Sequence, residues 1–323
     1  MNKGEFTMVN KMFLPLAYSS SKSLRKRILR HWELYFFLIP AIIYILVMNY
    51  GPMYGVIIAF QDYKPRKGIS GSEWVGLKHF IRLFTMANFG TYMKNTLTLS
   101  FYSLLAGFPL PIILALSMNA TKYNRFAKVV QTATYAPHFI SMVVVVCMIN
   151  VIFSPTTGIV SGLLNRLGII NGPLQVLMKA ETFPHLYVWS GVWQSIGWDS
   201  IIYMGALSSV DDSLHEAALI DGATKWQRIV HIDIAMILPT IVTMLILRSG
   251  SILSVGFEKV FLMQNSLNLA TSEVLSTYTY KMGISQGQYS FSSAMGLFNS
   301  VINFTMVMAV NFLSKKLTET SLW

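Results

Sequence analysis

The sequence predicts an all-α, polytopic membrane protein with six transmembrane helices, and three observations carry that prediction. Of 323 residues, 53% are hydrophobic and only 12% charged, about half the charged share of an ordinary soluble domain. The apolar residues gather into six stretches, each close to the ~20 residues needed to cross about 30 Å of hydrocarbon. Cations exceed anions, 25 Lys+Arg against 14 Asp+Glu for a net charge of +11, and the excess leans to one side of those stretches as the positive-inside bias requires. The same figures exclude disorder, which is apolar-poor and charge-rich. They also make a nucleic-acid partner unnecessary.

Residues 1–33 read as a basic cytoplasmic tail. Within it Lys22–Trp32 mixes Arg and Lys with Leu24, Ile28 and Leu29, the pattern of an interfacial amphipathic helix or of a simple topology anchor. Residues 34–323 read as the membrane domain. Its first span, Leu34–Phe60, is broken by Asn49-Tyr50-Gly51-Pro52. It follows a basic stretch but is too long, and lacks a small-residue cleavage site, for a cleaved signal peptide. The next are Lys94–Met118 and Ala127–Phe153. The fourth, Leu186–Leu207, is the most polar, interrupted by Trp193-Gln194-Ser195-Ile196-Gly197-Trp198-Asp199-Ser200. Ile234–Leu253 and Tyr289–Leu313 complete the set. With six spans both termini share one side. That side holds fourteen cations, seven of them ahead of the first span. The opposite side holds ten, and Arg248 within the fifth span completes the 25. Termini on the cytoplasmic side is the expected orientation.

Between the fourth and fifth spans the stretch at about 208–233 is too long for a simple connection. Ser213 is placed to cap a short helix with Glu216 at its third position, a capping box. Leu214, Ala217, Ala218 and Ile220 give that helix an apolar side, and Gly222 stops it. A second helix begins near Thr224 and heads for the membrane, with Trp226 at the interface. A helix, a glycine corner and a second helix presented to the cytoplasm form a docking element.

At these residues the sequence resembles the permease subunits of type I bacterial ABC importers. Their shared signature is Glu-Ala-Ala, three residues, Gly, nine residues, Ile, then Leu-Pro. Glu216-Ala217-Ala218, Gly222 and Ile232 stand at that spacing, whereas Ile234-Ala235 replaces Leu-Pro and Leu238-Pro239 comes four residues later. Asn49–Gly55, Ala59–Tyr63, Trp74–Leu77, Gly256–Val260, Tyr278–Tyr280 and Gly296–Phe298 are similar to the branch that imports complex polysaccharides and oligosaccharides, its alginate importers above all. The resemblance implies a type I importer permease fold. Its implied partners are a second, homologous permease, two cytoplasmic ATPase subunits and an extracytoplasmic solute-binding protein. It also makes Glu216, Ala217, Ala218, Asp221, Gly222 and Ile232 the ATPase-coupling residues, with ATP and Mg on the partner ATPase and no cofactor in this chain. The chain is not expected to be an enzyme: it has no G-x-x-x-x-G-K-[ST], no G-x-S-x-G, and Leu219 spoils the H-E-x-x-H that His215-Glu216 begins. No metal site is expected, and the lone Cys147 excludes an intramolecular disulfide.

Polar groups inside spans are costly and mark interior or water-filled paths. Arg248 lies ~21 Å from the inner end of its span and Asp199 ~20 Å from the outer end of its own, at ~1.5 Å per residue. A depth difference of roughly 10 Å on that count argues against a direct pair. Arg248 is then placed to bind an anion, to snorkel towards outer headgroups, or to pair elsewhere. Trp193, Gln194 and Trp198 supply stacking and amide groups suited to a sugar, the alternative being an interfacial aromatic belt. Asn299 and Asn303 share one face of the sixth span, suited to substrate or to an interhelical hydrogen bond. The outer loop at about 254–288 either dips into the bundle or meets the binding protein. The ten outer cations and Arg248 point to an acidic sugar such as a uronate oligomer. The rival reading is a secondary transporter or channel, for which the sequence offers one broken span and no clear repeat.

Overall fold

The structure, a computed structural model, describes residues 32–121, 123–318 and 321. The basic tail and the interfacial segment expected ahead of Trp32 lie outside the described residues. The chain separates into two compact units, Met1–Val56 and Ile57–Trp323.

In the first unit α1 (Trp32–Ile45) continues through a π-helical turn, Leu46–Tyr50, and a short helical turn, Gly51–Met53. Pro52 offers the ladder no N–H, and the turn before it widens: the Gly51 N–H donates to Leu46 O, five residues back. The predicted break at Asn49–Pro52 is therefore a widened turn within a continuous helical run. Almost every described residue of this unit is exposed, including Phe36, Phe37 and Tyr44, as suits a helix solvated by lipid.

The second unit opens with a two-stranded antiparallel ribbon, β1 (Gln61–Asp62) and β2 (Glu73–Trp74), in which Gln61 pairs with Trp74 and Asp62 with Glu73. Phe60 stacks on Trp74 with ring centroids 5.7 Å apart. After α2 (Lys78–Thr85), α3 (Phe89–Gly107) and α4 (Pro109–Asn119) run on as a single membrane-length helix, Phe89–Asn119. Pro109 is tolerated at the junction because the first turn of a helix needs no N–H from it.

The third predicted span requires correction. α5 (Asn124–Tyr135) passes into a 3-10 turn at Ala136–Phe139, and α6 (Met142–Ile152) leaves it bent by 100°. Pro137 sits in the turn, and Ile140 and Ser141 adopt extended backbone (ψ 129° and 150°) before the Ser141 hydroxyl accepts the Val144 N–H as a new N-cap. The stretch is span-length in sequence, but it folds as two helices. After α7 (Ile159–Arg166), α8 (Phe183–Leu207) runs 25 residues without interruption, long enough to cross a membrane.

Beyond the loop, α9 (Asp212–Ile220) and α10 (Lys225–Arg228) lead through a π-helical turn, Ile229–Asp233, into α11 (Ile234–Ser249). The outer segment folds as α12 (Phe257–Met263), α13 (Leu269–Ser272) and α14 (Leu275–Tyr280), and α15 (Tyr289–Thr318) closes the chain. Among the described residues four unbroken helical runs are long and apolar enough to cross a membrane, and the bent α5–α6 pair makes a fifth if counted as one. α8 stands outside that apolar group, carrying Gln194, Ser195, Asp199 and Ser200 along its length.

The main buried cluster joins Leu99 of α3, Val145 and Ile149 of α6, Tyr187 and Val188 of α8, and Val260 of α12. α12 therefore packs into the bundle, the first of the two alternatives left open for the outer loop. A second cluster holds Leu83, Leu275, Phe291 and Met295, and a third Ala115, Tyr203, Leu207 and Ile237.

Candidate functional site

Two regions concentrate chemistry: the loop between α8 and α11, and a cavity with charged groups among α3, α8, α11 and α12.

In the loop, α9 begins earlier than predicted. Asp211, in extended backbone, is the N-cap, and its Oδ1 accepts the Ser213 N–H at 2.9 Å. The expected capping box at Ser213 and Glu216 is thus corrected, because Ser213 already lies inside the first turn. A capping box does form at α10: the Thr224 N–H donates to Gln227 Oε1 at 2.8 Å, and the Gln227 N–H to Thr224 Oγ1 at 3.3 Å. Gly222 ends α9 with φ +79°. The Ala223 N–H donates to Ala218 O and the Gly222 N–H to Leu219 O, the two bonds of a Schellman cap. Glu216, Ala217, Asp221 and Gly222 are exposed, Ala218 and Ile232 half-buried. Ile220 is 87% exposed and Trp226 72%. Below them His215 Nε2 lies 3.2 Å from Asp233 Oδ1.

In the cavity, Arg248 and Asp199 are directly paired: Arg248 Nη2 donates to Asp199 Oδ2, and Nη1 to Gly107 O at 3.3 Å. The expectation that depth separates them is overturned. Helical side chains lean towards their own helix N-terminus, and α8 and α11, joined by one loop, run in opposite directions. The two leans converge and close the gap that residue counting leaves.

The other predicted pathway residues divide. Gln194 lines the same cavity, but its Nε2 is spent on Ile140 O at 2.8 Å, satisfying the carbonyl freed by the α5–α6 break. Trp193 lines a separate apolar cavity of about 460 Å³ with Trp189 and Met148. Trp198 stacks on His138, centroids 4.4 Å apart, with Phe139 on its edge. Asn303 Oδ1 accepts the Leu253 N–H at 3.0 Å and its Nδ2 donates to Ser254 Oγ, a tie between α15 and the segment that follows α11. Asn299 Oδ1 is buried without a hydrogen-bond partner. The aromatic groups and Arg248 do not converge on one point.

The model of the family described as the binding-protein-dependent transport system inner membrane component matches residues 107–319. The chain belongs to that family. The permease is 42% identical over 306 residues to the polygalacturonan/rhamnogalacturonan transport system permease protein YteP of Bacillus subtilis, covering 94% of this chain and 95% of that one. It is 40% identical over 290 residues to protein LplB of the same organism, covering 90% and 91%. Among solved structures, a chain of a bacterial alginate ABC transporter in complex with an alginate pentasaccharide-bound periplasmic protein superposes with a TM-score of 0.84 at 40% identity, covering 92% of this chain and 99% of that one. The fold is that of a multi-pass ABC importer permease.

Two residues of the permease escape sequence reasoning. Asp233 is 18 positions from His215, and nothing in the pattern joins them. Lys259, counted above among the outer cations, is only 4% exposed, and its Nζ donates to Tyr187 O at 2.7 Å inside the cavity. The only available signal was its place in the Gly256–Val260 motif. Two further outer cations are also engaged: Lys281 pairs with Glu273 at 2.5 Å, and Arg82 lies 4.2 Å from the Phe291 ring centroid. Among the described residues no cluster of His, Cys, Asp and Glu has a metal-binding arrangement.

Proposed function

We propose that this permease forms one half of the translocation pathway of an ATP-driven importer for acidic oligosaccharides or polysaccharides. The observation that carries the reading is end-to-end likeness, over nine-tenths of both chains, to a permease named for polygalacturonan and to the permease of an alginate transporter. Both polymers are built of uronic acids. A cavity that brings Arg248, Asp199 and Lys259 together suits a charged sugar.

The partners in this reading are a second homologous permease, two ATPase subunits carrying ATP and Mg, and an extracytoplasmic solute-binding protein. The loop over Glu216, Ala217, Ala218, Asp221, Gly222 and Ile232 seats on the ATPase, where the exposed Ile220 supplies an apolar contact of the kind that marks an interaction surface. Both termini lie in the cytoplasm, and six spans cross the membrane with α5–α6 as the bent one. ATP-driven closure of the ATPase pair pulls the two permease loops together and shifts the bundle from inward-open to outward-open. The binding protein then delivers the sugar.

The test is to purify the permease with whatever accompanies it and to measure ATP hydrolysis with oligouronates supplied. Copurification of an ATPase crosslinked through a Cys at position 218, with hydrolysis stimulated by an acidic sugar, is the expected result. Transport by the isolated chain on an ion gradient alone would instead make it a secondary transporter or channel and overturn the reading.

A further inference from the structure

The cavity among α3, α8, α11 and α12 holds about 290 Å³, near the lower end of the roughly 300–1,000 Å³ of small-ligand sites. That space suits one sugar unit rather than a length of chain. Two cations reach it, and they differ in kind. Arg248 is already neutralised by Asp199 and tied to Gly107 O. Lys259, among the described residues, has no carboxylate within ion-pair distance.

The Lys259 ammonium carries three N–H donors. One goes to Tyr187 O at 2.7 Å, and Nζ stands 4.9 Å from the centroid of the Tyr187 ring. Among the described residues the remaining donors have no other hydrogen-bond acceptor. Taking an ammonium out of water without a counter-ion costs several kcal/mol, and such groups inside membrane proteins usually serve a substrate or ion path. The surrounding backbone is shaped to admit it. A methyl at Gly191 of α8 would stand 3.1 Å from Nζ, tighter than an ordinary contact, so the ammonium would have to shift by a few tenths of an ångström. Ser103 and Ser195 line the same space; the Ser195 hydroxyl donates to Gly191 O at 3.0 Å and keeps its lone pairs for a sugar hydroxyl.

We propose that Lys259 is the carboxylate-recognition residue of the pathway, taking one carboxylate of an acidic sugar unit while the Arg248–Asp199 pair forms an electrically neutral wall beside it. This rests on the acidic-substrate reading above and adds the residue that selects the acid. The site asks for a compact anion on a hydroxyl-rich ring. A neutral sugar leaves the ammonium unpaired.

The test reconstitutes the complete complex with its binding protein. It compares uptake of an oligogalacturonate or an alginate oligomer with uptake of the same oligomer after its carboxyls are reduced to alcohols. One binding protein serves wild type and variants, so a change in the acid-to-reduced uptake ratio belongs to the permease. The ratio is also independent of how much variant assembles. Lys259→Gln is expected to lower it about tenfold, the scale of one lost charged hydrogen bond, and Lys259→Arg to keep most of it. Gly191→Ala, which leaves the lysine in place but displaces Nζ, gives a second reading of the same seat and is expected to lower the ratio several-fold. Equal slowing of both sugars in Lys259→Gln and Gly191→Ala, or no slowing in either, would overturn the assignment while leaving the acidic-substrate reading intact. If wild type itself does not favour the acidic oligomer, that reading falls and the assignment falls with it.

Discussion

His215, on the exposed loop helix α9, reaches across to Asp233 at the root of α11, 3.2 Å from imidazole Nε2 to carboxylate Oδ1. Asp233 is 3% exposed, and that oxygen has no aligned hydrogen bond to replace the contact. The loop is thus anchored to the root of α11. Replacing His215 with Ala strands a buried carboxylate, which costs about 1–3 kcal/mol. The expected result is a lower Tm for the detergent-solubilised permease, with Asp233→Asn in the same chain recovering most of the loss. Additive losses in the double variant would mean that the two residues do not act as a pair.

Gly222 holds φ +79° with open space around its Cα, so any penalty for a side chain there is conformational rather than steric. An L-residue in that region costs roughly 1–2 kcal/mol. Gly222→Ala is expected to loosen the Schellman cap and fray α9. In the assembled transporter, crosslinking from position 218 should weaken while total expression changes little. Gly222→Asn should lie between the two, since Asn tolerates the left-handed region.

Gly197 shows why α8 keeps a glycine in its most polar stretch. A methyl at that position would come within 2.2 Å of the Thr134 carbonyl oxygen and 2.8 Å of the Tyr135 ring. Both groups are on α5, and backbone cannot rotate aside as a side chain can. Gly197→Ala is expected to push α5 from α8 and cost about 1–3 kcal/mol or more. Thermal melts read the loss, and a Tm within a degree of wild type would show that α5 moves freely.

These cases also mark what the sequence discloses. Gly222 was legible because a glycine at a helix end needs only local chemistry to interpret, and the long helices were legible because lipid demands long apolar runs. The bend between α5 and α6 was hidden because Tyr135, Ala136, Phe139 and Ile140 join the Val143–Val146 run into one span-length stretch. Only Pro137 and the Ser141 cap betray the break. The Arg248–Asp199 pair was missed by counting rise along two axes while ignoring the direction in which side chains lean. Lys259 was invisible for a different reason: its burial depends on α12 folding back onto α8, a long-range contact that no local pattern specifies.

Arg248 and Asp199 are each about one-quarter exposed, at 29% and 24% of their side-chain surface. Their pair is partly solvated, so removing one partner costs less than in a fully enclosed pair. Asp199→Ala leaves the guanidinium with Gly107 O alone and is expected to cost about 2 kcal/mol. The Arg248→Met, Asp199→Leu double variant removes both charges and should melt nearer to wild type than Asp199→Ala does. Uptake separates stability from function. If Arg248 is wall rather than ligand, the double variant retains its preference for acidic over carboxyl-reduced sugar, and loss of that preference would move substrate recognition from Lys259 to Arg248.

Burial pulls the Lys259 ammonium down to about 7, from 10.5. The groups sharing its cavity are Asp199, Arg248 and Tyr187. The first two are paired with one another and offset in charge. Because the folded value lies below the unfolded one, the unfolded chain binds the extra proton between about pH 7 and 10.5. Stability from this residue therefore rises as pH rises through that window. Recognition of a carboxylate runs the other way, since only the ammonium attracts it. Uptake of acidic oligomer should fall as pH climbs past about 7, with the midpoint displaced upward at saturating sugar because a bound carboxylate favours the charged form. Uptake of the carboxyl-reduced oligomer should not share that limb, and Lys259→Arg should abolish it, as guanidinium keeps its proton. The measurement is the ratio of the two uptake rates between pH 6 and 9 in vesicles of wild type and Lys259→Arg. An identical profile in both would show that the limb arises elsewhere in the transporter.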